Sequence, residues 1–476
     1  MGERRSVAAG LALALAGGLM LVAAFPPVGA WPLIFVGFAP AAFAQHRLLP
    51  PRLAGLAVVL GPGLFIAVFT VPALLSAQRF ALLLLVPVLW LTGNVERSWH
   101  DATDQRHLWW TLPVTWVAAL FLLGHTALAG WIDPAYALFR QPWLIQAVSI
   151  TGTPGLDLVV LLTSYLLVSV LLTSSRRARG YLLVGLVLVL GAWVVGSASL
   201  LGAGRSGTTI RVAAVQPGTT DVVRTTRSPL LAALVDGTRT AAREGAQLVV
   251  WPEKVVRDLD LARDPSPVAE VARETHTYVV VGYTPDERRY NRAIVIAPDG
   301  SVVLTYDKQH PVVFQGDHSE GGPVVLAATP LGRIAPIICY DLDFPSTART
   351  AARRGAQLLA VPSEDWSGIA RVHYTHLVFR AVETRLAAIK ADVAWDSAVI
   401  DPNGRIVASH VTKDKTAAVV VADVRLGSGR SVYDSVGDIV GWACVLLTLG
   451  WFVIGLRANP PTRLRGRMRV PSPPRR

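Results

Sequence analysis

The stretch GRIAPIICYDLDFP, residues 332–345, is an apolar run that ends on a thiol and a carboxylate. It reads as a strand followed, from about 344 to 355, by a helix. Cys339 closes the strand. It is one of only two cysteines in 476 residues, and the other, Cys444, lies inside the apolar block VGWACVLLTLGW. No disulfide partner is therefore at hand within its own region. A solitary thiol is either a small buried hydrophobe or a reactive group, and its neighbours decide which.

Two other strands end in the same manner. QLVVWPE, residues 247–253, stops at Glu253, and VVLTYDK, residues 302–308, stops at Lys308. Carboxyl ends of strands are where α/β sheets open a crevice. A thiol, a carboxylate and an ammonium converging there form a nucleophilic set. Cys339 attacks, Glu253 takes its proton, and Lys308 lowers the thiol pKa and stabilises an oxyanion. The backbone N–H of Tyr340 is a second oxyanion donor by analogy with other nucleophile elbows, with Asp341 in support. Taken singly, Glu253 also reads as a loop cap or a partner of Lys254, and Lys308 as a solvated strand end. Only the combination points to chemistry.

The region around these residues alternates strand and helix signals. Strands are expected in TIRVAAVQPG, TYVVVGYT, NRAIVIAPDG, GAQLLAVPSEDW and IKADVAWDSAVIDPNG, and helices at 264–276, 344–355 and 370–386. APDG and DPNG are hairpin turns. Sheets covered by helices are implied.

The rest of the chain is different. Overall 52% of residues are hydrophobic and only 16% charged, and mean hydropathy is +0.44, which indicates a membrane protein. Candidate spans are 6–25, 31–46, 54–73, 80–95, 109–128, 157–174, 181–201 and 437–456, with the second and fourth short. The first runs directly into another apolar block, which argues against a cleaved leader. The expected organisation is a polytopic α-helical membrane domain at 1–204 with about seven helices. An extracytoplasmic α/β domain follows at 205–433, then a last transmembrane helix at 434–457 and a basic cytoplasmic tail at 458–476. Arginine-rich segments HRLLPPR, NVERSWHDATDQRH and SSRRARG fall on the cytoplasmic side with both termini. Much of the net +12 charge thus faces lipid headgroups, and no nucleic-acid partner is expected. His125, within the fifth span, reads as an interhelical hydrogen-bonding group. Metal-ligand spacing, phosphate-binding glycine loops and internal repeats are not found, so neither a cofactor nor a metal is expected.

The order WPE, YDK, ICYD…FP resembles the Glu-Lys-Cys signature of the carbon–nitrogen hydrolase (nitrilase) superfamily. VAAVQPG, YNRAIVIAPDG, RGAQLLAVP and FRAVETR…IDPNGRI support this across 210–424. The resemblance implies an αββα sandwich with Glu253, Lys308 and Cys339 as base, lysine and nucleophile. AAFPPVGAWPLIFVGFAPAAFA, QPWLIQAVSITGTPGLDLVVLLTSYLL and SVYDSVGDIVGW are further similar to the apolipoprotein N-acyltransferase family. That implies acyl transfer from a membrane phospholipid through a Cys339 thioester to the α-amine of an apolipoprotein's N-terminal cysteine, by a monomer in the cell membrane. Some positions depart from the pattern. Asp341 stands for Glu, Lys254 for Ser, and Ser363, Glu364 and Ser367 replace Asn, Asp and Phe beside Trp366. In KQHPVVFQGD, Lys308, His310 and Phe314 fit, but the family's glutamate falls on Gly316, leaving Asp317 or Glu320 to substitute. A membrane-tethered amidase and a catalytically silent lipoprotein-binding homologue are the rival readings.

Overall fold

The computed structural model describes residues 2–74, 83–102, 105–126, 130–203, 207–224, 228–285, 290–312 and 316–458. The arginine- and proline-rich tail beyond 458, and Phe314, lie outside them.

The first half is helical. Arg5–Ala23, Pro51–Ala73, Thr153–Leu172 and Arg176–Ser199 are helical and long and apolar enough to cross a bilayer, while Leu108–Gly124 and Ile439–Gly455 are apolar but shorter. The expected span at 31–46 is not one helix. It breaks into a 3-10 turn at Trp31–Phe35, an α-turn at Phe38–Phe43 and a π-turn at Ala44–Leu48. Pro32, Gly37 and Pro40 interrupt the hydrogen-bond ladder there. The stretch 54–73 is likewise jointed, at Gly61. Close packing explains a small residue in the first helix: a Cβ on Gly18 would meet the Leu60 carbonyl oxygen at 2.5 Å.

Two sheets follow. The first contains β1 (Thr209–Gln216), β2 (Leu248–Val250), β3 (Val256–Arg257), β4 (Tyr278–Thr284), β5 (Arg292–Ile296), β6 (Val302–Asp307) and the late strand β13 (Ala418–Arg425). Its order is β13-β1-β2-β4-β5-β6, with β3 paired to β4. The second contains β7 (Ala327–Thr329), β8 (Gly332–Pro336), β9 (Leu358–Ser363), β10 (Ala387–Asp392), β11 (Asp396–Ile400) and β12 (Ile406–Val411), in the order β12-β11-β10-β9-β8-β7. The two sheets face each other through Val212, Ala214, Val250 and Val280 on one side and Ile334, Ala360, Ile389 and Val399 on the other.

Helices Pro229–Arg243 and Ser266–Thr275 cover the first sheet, and Pro345–Arg353 and His373–Thr384 the second. The expected αββα layering is met. One expected strand, IKADVAWDSAVIDPNG, is instead the hairpin β10–β11. The Asp392 carboxylate accepts the N–H groups of Ala394 (2.9 Å) and Trp395 (2.7 Å), closing an Asx turn.

The outer layer of the second sheet is not a surface. All twelve residues of His373–Thr384 are buried, because the helical half packs over them. Leu377, Phe379 and Val382 share one core with Tyr136, Leu138, Ile145 and Leu156. Polar groups bridge the same seam. The Glu383 carboxylate accepts the Thr153 N–H (2.8 Å) and hydroxyl (2.7 Å), and Arg385 donates to Gln146 (2.6 Å).

Candidate active site

The three residues are delivered from both sheets. Glu253 follows β2 and Lys308 follows β6 in one sheet, while Cys339 follows β8 in the other. The site therefore sits where the ends of two facing sheets meet, rather than in the crevice of a single open sheet. The Glu253 N–H crosses this seam to the Ser363 carbonyl at 3.3 Å.

Cys339 has φ +43, the left-handed region that a branch-free but non-glycine residue enters only under constraint. Asp341 supplies the constraint. Its buried carboxylate accepts the Ile338 N–H (3.0 Å), the His310 N–H (2.8 Å) and the Tyr306 hydroxyl (2.8 Å). Asp341 thus fixes the elbow from behind and does not face the thiol. The Tyr340 ring lies edge-on to Phe344 at 5.1 Å.

Lys308 Nζ donates to Glu253 Oε1 at 2.7 Å and to Asp317 Oδ2 at 3.1 Å. Both Lys308 and Glu253 are almost completely buried. A buried pair costs several kcal/mol per ion in lost hydration unless further bonds satisfy it. Here they do. Glu253 also accepts the Asn291 amide (2.6 Å) and the Glu364 backbone N–H (2.9 Å). Burial works against the Lys308 charge, but Glu253 and Asp317 reverse that and hold its pKa well above the usual lysine range.

Lys308 does pull the thiol pKa down, as expected, but it does not set the net direction. Cys339 is 3% exposed. Burial pushes its pKa well above the ordinary thiol range, the Glu253 charge adds to this, and Lys308 offsets only part. The resting sulfur is a thiol, its S–H directed at Asp365 Oδ1 (3.7 Å).

Residues 211–434 match the carbon–nitrogen hydrolase family and residues 17–166 the apolipoprotein N-acyltransferase N-terminal domain. An apolipoprotein N-acyltransferase of Geobacter metallireducens is 28% identical, covering 91% of this chain and 92% of its own. One from Gloeobacter violaceus is 27% identical, covering 98% and 97%. An omega-amidase of Bos taurus is 29% identical over 40% of this chain and 80% of its own. Over nearly its whole length the chain is similar to apolipoprotein N-acyltransferases.

The departures from the pattern of this acyltransferase family compensate one another. Asp317 occupies the place beside Lys308 that the shifted loop left in question. It also accepts from Asn291 (3.2 Å) and pairs with Lys254 (2.7 Å). Glu320 is not brought in; it points to Arg292 at 3.5 Å on the exposed side. Lys254, standing for Ser, pairs with Glu364, standing for Asp, at 3.1 Å, and Arg257 closes the group at 3.0 Å. The carboxylates Glu253, Asp317 and Glu364 thus meet the cations Lys254, Arg257 and Lys308. Burial raises the Glu364 pKa against the pull of Lys254, while Lys308 and Lys254 hold Asp317 below the carboxylate range despite its burial.

Lys254, Arg257, Asp317 and Glu364 line one wall of a cavity of about 830 Å³, together with Trp366, Ser367, Trp395 and Lys415. The Trp366 indole N–H donates to the Pro72 carbonyl (3.4 Å), so this loop rests on the end of an apolar helix.

Sequence reasoning missed four groups. Asn291, on the Glu253 carboxylate, was visible in YNRAIVIAPDG as a polar residue just before a strand. Asp365, Asp343 and His373 were not singled out. Asp365 accepts from His373 Nδ1 (2.8 Å) and Lys390 Nζ (2.8 Å), and His373 Nε2 reaches Asp343 (3.2 Å). With a carboxylate at each ring nitrogen, His373 carries both protons. Burial opposes that charge, yet Asp365 and Asp343 raise its pKa to about 10. Cys339, Asp365 and His373 also bring ligand atoms within 4.8 Å of one another, as do Asp365, Asp392 and Asp396. Lys390 Nζ, already on Asp365 and Asp396, occupies the position of a cation there. Among the described residues His125 makes no interhelical hydrogen bond. Its Nδ1–H donates within its own helix to the Phe121 carbonyl (2.8 Å), and its ring meets Trp442 of the last helix at 6.0 Å.

Proposed function

We infer that this chain transfers an acyl group from a membrane phospholipid to the α-amine of an apolipoprotein's N-terminal diacylglyceryl-cysteine, by way of a Cys339 thioester. The observation that carries this is the buried Glu253–Lys308 pair at 2.7 Å beside a thiol held at φ +43. Because the resting sulfur is protonated, Glu253 must take the proton as sulfur attacks the ester carbonyl. Lys308 stabilises the developing oxyanion with the Tyr340 N–H, and lysophospholipid leaves as its oxygen takes the proton from Glu253. In the second half-reaction the amine attacks the thioester and sulfur leaves, re-protonated through Glu253. Ping-pong kinetics follow.

Water competes for a thioester, so a transferase needs a dry nucleophile and acceptors supplied at high local concentration. A buried Cys339 in a domain packed on apolar helices supports both. In this reading the helices of 1–204 and 434–457 span the cell membrane and both termini are cytoplasmic. The catalytic domain, 205–433, faces outward, and the chain works as a monomer without metal or cofactor.

The test uses vesicles with acyl-labelled phospholipid and a synthetic lipopeptide bearing a free α-amine. The label is expected on Cys339 by intact mass, then on the amine, with both lost in Cys339→Ala. Fatty acid or ammonia released into water, with the lipopeptide N-terminus unchanged, would favour a tethered amidase instead.

A further inference from the structure

A second cavity, of about 480 Å³, lies on the other side of the Cys339 elbow, where the catalytic domain meets the helices. Cys339 sits in the partition: Asp365, its contact, lines the charged cavity, and Tyr340, its neighbour in sequence, lines this one. The two differ in chemistry. The first is lined by four cations, Arg224, Lys254, Arg257 and Lys415, set among the carboxylates Asp258, Asp317, Glu364 and Asp365. The second has an apolar wall of Val117, Leu120 and Phe121 and four aspartates, and among the described residues no lysine or arginine lines it.

Three of those aspartates are already engaged. Asp343 is held by His373 and His376, Asp438 by Arg349 (2.9 Å), and Asp157 by the Ala135 N–H (2.8 Å). The carboxylate of Asp133, at the start of the 3-10 turn Pro134–Leu138, has no hydrogen bond or ion pair among the described residues, only its backbone carbonyl being taken, by the Tyr136 N–H (3.1 Å). Burial pushes its carboxyl up to about 7, against the pull of the more distant Arg380. A carboxyl so placed gains most from an arriving cation.

We propose that this cavity binds a primary ammonium carried on a lipid chain, with Asp133 as its counter-ion and the Val117–Phe121 wall taking the chain. A bare metal ion is a poor fit, since no group of metal-spaced ligand atoms includes Asp133 among the described residues and half the lining is apolar. The inference rests on the transferase reading and deepens it: the ammonium is that of the acceptor's N-terminal cysteine, which meets the thioester from the side opposite the charged cavity. There the ammonium loses one proton to water, its nitrogen bonds the thioester carbon, and the C–S bond breaks onto sulfur. The second amine proton passes through Glu253 to the thiolate. The same chemistry is offered by an ethanolamine headgroup on the donor, and the experiment separates the two.

Asp133→Asn and Asp133→Glu are made in the full chain and reconstituted in vesicles of phosphatidylethanolamine or phosphatidylglycerol. Acylation of Cys339 and transfer to a synthetic diacylglyceryl-cysteine peptide are timed separately. In Asp133→Asn, KM for the peptide is expected to rise about 10–100-fold, the range of a lost charge-assisted hydrogen bond, with Asp133→Glu recovering most of it. A loss confined to acylation from phosphatidylethanolamine would assign the ammonium to the donor. Unchanged peptide KM and donor preference would overturn the site, as would an unchanged peptide KM with acylation slowed equally from phosphatidylethanolamine and phosphatidylglycerol. Equilibrium binding of the peptide against its α-N-acetylated form, done on Cys339→Ala, scores the cavity even if no thioester forms. Wild-type Asp133 should favour the free amine about 10-fold or more, and no preference refutes the proposal. Absence of a thioester in the wild type would instead count against the transferase reading.

Discussion

Cys339 combines a strained backbone, a protonated sulfur and a neighbouring carboxylate that is an obstacle to ionisation and, in the proposed mechanism, the base. The Glu253 charge raises the thiol pKa, yet that carboxylate is the group placed to remove the proton. Removing the charge should therefore separate two properties that usually move together. In Glu253→Gln, alkylation of Cys339 by iodoacetamide at pH 9 is expected to quicken, because one negative charge near the sulfur is gone. Acyl transfer should fall about 10²–10⁴-fold, the size of a lost general base. Peptide mass mapping of the alkylated enzyme across pH reads the first, and product formation the second. An alkylation profile identical to wild type would contradict the electrostatic account. The three residues were legible as strand ends followed by chemistry. The sign of the thiol shift was not, because it depends on burial, which a sequence window does not contain.

His373–Thr384 is a helix whose place in the chain is legible in the sequence while its surroundings are not. Its polar residues His373, His376, Arg380 and Glu383 fall at helical spacing on one stripe, the ordinary mark of a solvated face. In the structure that stripe is buried against the helical half, and every member has an ionic partner: Asp365 and Asp343 for His373, Asp343 for His376, and Arg380 with Glu383 (2.8 Å). The consequence is a pH-dependent stability. His373 has its pKa raised from 6.5 to about 10 in the fold. Its contribution is then fully present below about pH 6.5 and lost as pH rises through about 10. His376 is shifted the other way by burial, so its contribution is present above its unfolded pKa and lost on acidification. Thermal unfolding of the solubilised chain at pH 6, 8 and 10 should show a declining Tm, and His373→Gln should flatten that decline. A slope retained in the variant would mean other groups set it.

The molecule as a whole is held by a core that ignores the division between its halves. Leu377, Val378 and Phe379 on the catalytic side pack with Tyr136, Ile145 and Leu156 on the helical side. Separating them would expose a large apolar patch, which soluble monomers rarely tolerate. Residues 207–431 expressed alone are expected to aggregate or unfold without a cooperative transition, as read by sedimentation and calorimetry. A monodisperse, cooperatively folded fragment would show that the seam is incidental. The sequence by itself determined the alternation of strands and helices, the three reactive residues at strand ends, and the apolar blocks, because each is a local pattern of period two, period 3.6 or plain hydropathy. Only the tertiary structure decided that Asp317 rather than Glu320 meets Lys308, that Lys254 and Glu364 neutralise each other, and that a polar helix stripe is interior. Those outcomes depend on contacts between residues far apart in the chain, where geometry and desolvation, not local pattern, set the balance.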